Sequence, residues 1–461
     1  MVGDPVSLAL ERLDQVHARW VDLQFLDLAG LLRRVTVSRR LIDESVFREG
    51  IGKLDGSSVR GFVEISESDM RLRPIPETFA VLPWGEGVAR FLCAIHRPDG
   101  SRFERDPRLA LEGAVEALEA EGYGALMSFE LEFFVFDSIE ATASSYESVL
   151  RIRTREPSMG VGKKDAYYIP QHVDSTYEYS LELARILEGN FAVPVEVFHH
   201  EVASGGQLEV NFEASDPLRA ADRLVTIKYA ARTLAARMGR AAVFLPKPIP
   251  DDNGSGLHTH VSLWRGEENA FYDPSDPYAE LSQTARYFIG GLLEHGRALA
   301  AFTNPTVNSY RRLIPGYEAP IYLVWSKANR SAAVRVPFYK RGEARRRRIE
   351  YRPPDPTANP YLAAAAILMA GLDGVRRKID PGDPVDENVY KMTPERRRAL
   401  GVRELPRSLE EALDELESDS EWLKPAFPRS LVEAYIEVKR AESRGLAAYP
   451  SPAEVAFYLN Y

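Results

Sequence analysis

Polar and apolar residues alternate along four short stretches of the chain, and each alternation predicts a strand with two unlike faces. Residues 128–136, SFELEFFVF, place Glu130, Glu132, Phe134 and Phe136 on one side and Phe129, Leu131, Phe133 and Val135 on the other. Within residues 201–212, Gln207, Glu209 and Asn211 oppose Leu208, Val210 and Phe212. Residues 256–263 set His258, His260 and Ser262 against Leu257, Thr259, Val261 and Leu263, and residues 348–352 group Arg348, Glu350 and Arg352. A single strand of this kind is equally well explained by a solvated sheet face. Four of them describe a sheet with one face lining a polar cavity.

The remaining pattern divides into two parts. An amphipathic helix over 5–20, with Leu8, Leu10, Leu13 and Val16 on its apolar side, precedes two strands within 20–37 that turn around Asp27–Gly30. Strands over 78–82 and 88–95, a small-residue loop at 57–62 behind Asp55 and a charged, turn-rich stretch at 64–73 complete a small, mainly β domain. The polar run RPDGSRFER at 97–105 ends it near residue 103. Helical spacing follows over 107–121, 175–188, 217–238, 278–301, 359–377, 408–416, 429–444 and 451–459. Residues 137–166 have no clear period and read as a long irregular loop, while 380–406, rich in proline and charge, read as surface.

Composition narrows the class without naming a function. At 461 residues, 45% hydrophobic and 27% charged, this is an ordinary globular chain with room for more than one domain. A net charge of −10 lacks the basic footprint of a general nucleic-acid binder. The one cysteine, Cys93 in ARFLCAIH, excludes an internal disulfide and reads as a buried strand residue in a reducing compartment. The opening segment lacks a signal pattern, and the longest apolar run, YLAAAAILMAGL, reads as a buried helix and not as a membrane span. A cytoplasmic location without membrane attachment is the expectation.

The cavity face collects Glu130, Glu132, Glu201, Glu209 and Glu350, with His258 beside them. So many carboxylates call for cations, and a carboxylate-rich set with one imidazole suits Mg²⁺ or Mn²⁺. His199 and His200 are adjacent, so at most one of them faces the cavity. Arg312, Arg330, Arg335, Arg348 and Arg352 add guanidinium forks suited to phosphate and carboxylate, whereas Arg345–Arg347 in ARRRR read as a surface turn. Metals and arginines together point to phosphoryl transfer involving an acidic molecule. No P-loop or G-x-G-x-x-G follows a strand, and DNGSG at 252–256 reads as a turn, so a nucleotide needs another scaffold.

At this point the chain resembles type I glutamine synthetase, nearly from end to end. DGSSVRGF at 55–62, ELEF at 130–133, HHEVASGGQLEV at 199–210 and NGSGLHTHVSL at 253–263 carry the resemblance. NPTVNSYRRLIPGYEAP at 304–320, NRSAAVRVP at 329–337 and RRIEYRPPDPTANPYL at 347–362 continue it in order. The resemblance implies an α+β fold: a β-grasp-like domain over 1–103, then a catalytic domain over 104–461 with a curved antiparallel sheet, an open barrel, backed by helices.

It also implies roles. Glu132, Glu201 and Glu209 correspond to ligands of a first divalent metal, and Glu130, His258 and Glu350 to those of a second, nearer the ATP phosphates. Asn253, Gly254, Arg312 and Arg352 correspond to the L-glutamate site, and Glu196, His260, Ser262, Arg335 and Arg348 to nucleotide-side positions. Arg330 corresponds to the residue stabilising the transferring phosphoryl group. Asp55, Ser58, Tyr167, Glu201 and Glu318 correspond to an ammonium site, with Asp55 taking the proton and Glu318 on a flap that closes over glutamate. The implied reaction joins ammonia to glutamate through γ-glutamyl phosphate, giving glutamine, ADP and phosphate, in a dodecamer of two hexameric rings whose neighbours supply Asp55. The alternatives are a relative that ligates a polyamine or ethanolamine, or a non-catalytic descendant. Asp55, Glu318 and the filled metal positions argue against both. Leu208 stands where the family usually has His or Asn and should point away from the metals. Glu64 stands where some relatives carry an arginine linked to feedback control, and Tyr390 reads as a packed tyrosine and not as a modified one.

Overall fold

Two large sheets and two two-stranded ones carry the chain, and the structure, a computed structural model, describes residues 4–459; residues 1–3 of the opening segment lie outside it. In the first sheet, strands Trp20–Leu26 and Leu32–Ser38 pair antiparallel around the Asp27–Gly30 turn. Trp20–Leu26 also runs parallel to Val88–His96, and Asp69–Pro74 and Ile51–Asp55 complete the order. The turn is set by Asp27, whose Oδ1 accepts from the Leu31 amide at 2.9 Å. Gly30 sits at φ +83, and a Cβ there would stand 3.2 Å from Asn359 Cα, so only glycine fits this approach. Asn359 Nδ2 in turn donates to Asp27 O at 3.0 Å. The small sheet is thereby docked on the start of the long helix Pro360–Arg377.

The second sheet has the order Val195–His200, Gln207–Phe212, Gly124–Phe136, Leu257–Arg265, Ile349–Tyr351, Val334–Val336 and Trp325–Lys327. Its pairs are antiparallel except the last, which is parallel. Phe129, Leu131, Phe133, Leu208, Val210, Leu257, Val261, Ile349 and Tyr351 point to one side and join the core. Helices Pro107–Ala120 and Pro217–Arg237 cover that side, and Pro360–Arg377 packs against both of them. Each starts on a side-chain cap followed by proline, Asp106, Asp216 and Asn359 respectively. Burying each large apolar side chain contributes about 1.5–3 kcal/mol. The fold is α+β, with the sheet's other face left free for polar residues.

Several expectations need correction. The first helix is Pro5–Gln15 and buries Ala9 and Leu13, while Leu8 and Val16 are exposed. The stretch read as turns at 64–73 contains the strand Asp69–Pro74, and 137–166 contains the hairpin Ser138–Ala143 and Ser148–Arg153. The helix expected over 278–301 is two, Gln283–Glu294 and Gly296–Thr303. Arg347 is not on a surface turn: it is buried and pairs with Glu280. Within 380–406, Val389, Met392 and Leu405 are buried. No helix among the described residues is long and apolar enough to cross a membrane.

Candidate active site

The strand register sets the charged residues in a row across the free face. His199 stands opposite Glu209, Glu209 opposite Glu132, Glu130 opposite both Asn211 and His258, His260 opposite Glu350, and Glu350 opposite Arg335. Like charges directly opposite each other are unfavourable in a sheet, so Glu132 beside Glu209 is a local conflict. They line a cavity of about 260 Å³ together with Glu130, Glu201, His258, Asn253, Gly254, Arg312, Glu318, Arg330, Arg335, Arg352 and Tyr167.

Two groups of potential metal ligands lie here, each with donor atoms within 4.8 Å of one another: Glu130, His258 and Glu350, and His199, Glu201 and Glu209. In the first, His258 Nδ1 donates to Glu130 Oε2 at 3.0 Å and His260 Nε2 donates to Glu130 Oε1 at 2.7 Å. Arg348 Nε donates to His260 Nδ1 at 3.0 Å, which fixes the proton on Nε2. Burial opposes charge on Glu130, but these two imidazoles outweigh it and hold the carboxyl well below its usual range. Glu350 is fully buried and held at about 2: burial raises its pKa, and Arg352, then His260 and His258, bring it down.

The carboxylates Glu132, Glu201 and Glu209, beside this second group, are short of positive charge. Glu132 and Glu201 are each pushed up to about 7, chiefly by burial. Neighbouring carboxylates add to it: Glu201 and Glu209 act on Glu132, and Glu209 acts on Glu201. Glu132 keeps two neutral donors, the Gly256 amide at 2.9 Å and Gln207 Nε2 at 3.2 Å. Crowded, dehydrated oxygens of this kind, with imidazole at the edge, are a donor set that fits hard divalent cations. The DNGSG loop approaches closely: a Cβ on Gly256 would stand 2.8 Å from His258 Nε2 and 2.9 Å from Arg312 Nη2.

The arginines differ in their pairing. Arg312 is buried yet bonds only to carbonyls, Pro353 O at 2.6 Å, Pro354 O at 3.2 Å and Arg352 O at 3.3 Å. It lines the cavity without an ion pair among the described residues, as does exposed Arg330. Both can take an anion. Arg335 and Arg352 are folded in on Glu350.

Other residues singled out in the sequence lie elsewhere. Ser262 accepts from Trp264 Nε1 at 2.9 Å, and Glu196 is exposed at an irregularity in its strand; neither lines the cavity. Asp55 and Ser58 are also outside it, on the small sheet's edge, where Asp55 accepts from Ser57 N, Ser57 Oγ and Ser58 Oγ. Of the histidine pair, His199 faces the cavity and His200 is buried against Glu156. Leu208 points into the core, away from the carboxylates. Tyr390 is packed, its hydroxyl donating to Ala319 O at 2.8 Å.

Sequence reasoning left His199 unassigned and missed Gln207 as a support. The signal for His199 was its register against Glu209, which needs the strand pairing. Gln207 Nε2 reaches Glu132, Gly254 O at 3.0 Å and Ser255 Oγ at 3.2 Å, so it ties the carboxylates to the glycine loop.

Comparisons with known proteins agree with this geometry. The family model described as "Glutamine synthetase, beta-Grasp domain" matches residues 17–98, and "Glutamine synthetase, catalytic domain" matches residues 104–458. The glutamine synthetase of Sulfolobus acidocaldarius is 51% identical over 98% of both chains. That of Thermotoga maritima is 43% identical over 97% of this chain and 98% of its own. A cryo-EM structure of Plasmodium falciparum glutamine synthetase superposes with a TM-score of 0.90 at 27% identity, covering 100% of this chain and 99% of that one. The chain belongs to the glutamine synthetase family.

Proposed function

We propose that the carboxylate- and arginine-lined cavity performs ATP-dependent ligation of ammonia to the γ-carboxylate of L-glutamate. The chain is a glutamate–ammonia ligase. The observation that carries the residue assignment is the row of carboxylates beside cavity-facing arginines that lack acidic partners. On this reading the small domain ends near residue 103 and the catalytic domain follows.

Glu132, Glu201 and Glu209 would hold one divalent ion, Mg²⁺ or Mn²⁺, with His199 at its edge, and Glu130, His258 and Glu350 a second. When bound, these ions offset phosphate charge and polarise the transferring phosphoryl group. Arg312, Arg352, Asn253 and Gly254 bind and orient glutamate. The buried guanidinium of Arg312 faces a carboxylate with little competing water. Arg335, Arg348 and His260 lie toward the nucleotide, with Ser262 further along the strand of His260 and Glu196 on the strand that carries His199. Arg330 sits where negative charge builds as the γ-phosphoryl leaves ADP for the glutamate oxygen.

The acyl phosphate so formed is prone to hydrolysis, so Glu318 and its flap have a water-excluding use. Ammonium must give up a proton before it can attack the acyl carbon. Tyr167, Glu201 and Glu318 surround that position, and Asp55 of a neighbouring copy, together with Ser58, completes it and accepts the proton. Attack expels phosphate and leaves glutamine. Because Asp55 does not line its own chain's cavity, this chemistry needs a ring assembly, which we take to be a dodecamer of two hexamers in the cytoplasm.

The test is phosphate release from ATP with Mg²⁺ and glutamate, comparing ammonium, putrescine, ethanolamine and no amine, with the product identified by mass. Ammonium-dependent glutamine formation that collapses in Asp55→Ala is the expected result. Turnover only with an organic amine would instead make this a γ-glutamyl-amine ligase. No turnover with any amine from an assembled, metal-loaded sample would end the catalytic reading.

A further inference from the structure

Tyr317, the residue before Glu318, has two lysine ammonium groups against its ring. Lys247 Nζ lies 3.5 Å and Lys164 Nζ 3.9 Å from the ring centroid, well within cation–π range. The two lysines come from separate loops, and each is tied down at a second point. Lys164 Nζ donates to Gly316 O at 3.1 Å, within the flap itself. The Lys247 backbone is bracketed by Asn308, which accepts from its amide at 2.8 Å and donates to its carbonyl at 3.1 Å.

Both lysines also meet at one anchor. Asp252 is fully buried: its Oδ1 accepts from the Lys164 amide at 3.0 Å and the Asn253 amide at 2.9 Å. Its Oδ2 accepts from Ser204 N at 2.8 Å and Ser204 Oγ at 2.7 Å, and its carbonyl accepts from Lys247 Nζ. Asp252 thus joins the lysines to the loop holding Asn253 and Gly254 and to the loop following Glu201.

We propose that Lys164 and Lys247 are positioning residues that clamp the Tyr317 ring and thereby hold Glu318 over the cavity. The backbone explains why a clamp is needed. Glu318 has φ +62 and Lys164 φ +60, a region that non-glycine residues keep only when their surroundings hold them there. Glu318 itself is exposed, so its position depends on its neighbour. Through Asp252, glutamate seated at Asn253–Gly254 shares an anchor with the flap, so the filled site and the closed flap favour each other. The inference rests on the ligase reading and deepens it: the lysines keep water from the acyl phosphate.

The experiment compares wild type with Tyr317→Leu, Tyr317→Phe and Lys164→Met by two readouts. One is phosphate released per glutamine formed, with the ammonium KM; the other is hydrogen exchange of the flap amides over residues 314–318. Wild type should release one phosphate per glutamine. Tyr317→Leu should exceed that ratio, raise the ammonium KM roughly tenfold and speed flap exchange. Lys164→Met should move the same way by less, and Tyr317→Phe, which keeps the ring face, should restore all three. Unchanged flap exchange in Tyr317→Leu, or Tyr317→Phe as impaired as Tyr317→Leu, overturns the clamp. Ring-dependent flap exchange in a protein whose wild type makes no glutamine upholds the clamp and removes the ligase reading alone.

Discussion

Two buried carboxylate clusters lie on either side of one short loop, and only one of them has the properties of a site. Glu132, Glu201 and Glu209 share few positive partners, and burial together with mutual repulsion pushes Glu132 and Glu201 up to about 7. Glu156, which is fully buried, accepts from Ser175 N at 3.2 Å, Ser175 Oγ at 2.6 Å, His200 Nε2 at 2.9 Å and the Gly205 and Gly206 amides at 2.6 Å each. Burial opposes its charge, but these donors outweigh that and hold its pKa below the usual value. By ligand geometry alone, Glu156, Asp174 and His200 also form a potential metal group. The difference lies in satisfaction: a buried carboxylate with all its donors stabilises a loop, whereas one without them calls for a cation.

The sharpest way to break this contrast is to neutralise one member of each cluster. Glu132→Gln keeps the side-chain shape but removes a metal-holding charge, and should lower ammonium-dependent turnover about 10³- to 10⁴-fold. The metal-free variant should unfold at no lower temperature than wild type, because a like-charge conflict has been removed. Glu156→Gln should do the reverse. Losing one member of a buried ion pair costs about 3 kcal/mol, at the low end because the amide oxygen still accepts the bonds of one carboxylate oxygen. Urea unfolding should show that loss directly. Equal stability of Glu156→Gln and wild type would erase the contrast.

This distinction shows what the sequence could and could not carry. The period-2 alternation placed Glu130, Glu132, Glu209, His258 and Glu350 on one face because a strand's faces follow from local geometry. The helices Pro107–Ala120 and Pro360–Arg377 were equally legible, since their caps and apolar stripes are local. The hairpin Ser138–Ala143 and Ser148–Arg153 was not. Its residues are largely exposed on both faces, so burial wrote no alternation into it. Arg347 read as surface because its partner, Glu280, is 67 positions away. Glu156 and the lysines around Tyr317 were invisible for the same reason: their roles lie in donors brought together from distant loops. Asp55 was legible only through family resemblance, because its chemistry needs another copy of the chain.

Metal linkage tests the unsatisfied cluster more gently. Ions that bind only the folded protein stabilise it by mass action, about 2.7 kcal/mol at a hundredfold excess over Kd. Mg²⁺ should therefore raise the melting temperature of wild type, and a chelator should reverse the rise. Glu132→Gln should blunt the response. If the Glu156 cluster were the principal metal site, the response would survive Glu132→Gln and disappear in Glu156→Gln.

A third buried arrangement, which shares no residue with either cluster, isolates the smallest effect. His295 joins the helices Gln283–Glu294 and Gly296–Thr303 and lies between two acids, with Nε2 2.7 Å from Asp373 Oδ2 and Nδ1 2.8 Å from Asp419 Oδ2. Trp422 stacks on the imidazole, and Arg377 also pairs with Asp373 at 2.9 Å. Burial lowers the imidazole's pKa, but Asp373 and Asp419 outweigh it, so the folded value lies above the ordinary 6.5. A raised folded pKa means the folded state binds the proton more tightly. The stabilisation is then complete below pH 6.5 and is lost as pH rises through the folded value. Asp419 is 44% exposed, which screens its share and limits the effect to about 1 kcal/mol. Unfolding free energies of wild type and His295→Gln should therefore differ most at pH 6 and converge toward pH 9. The same difference at both pH values would mean that the imidazole is neutral and contributes only packing, leaving donor supply at this cluster no different from that of an ordinary core histidine.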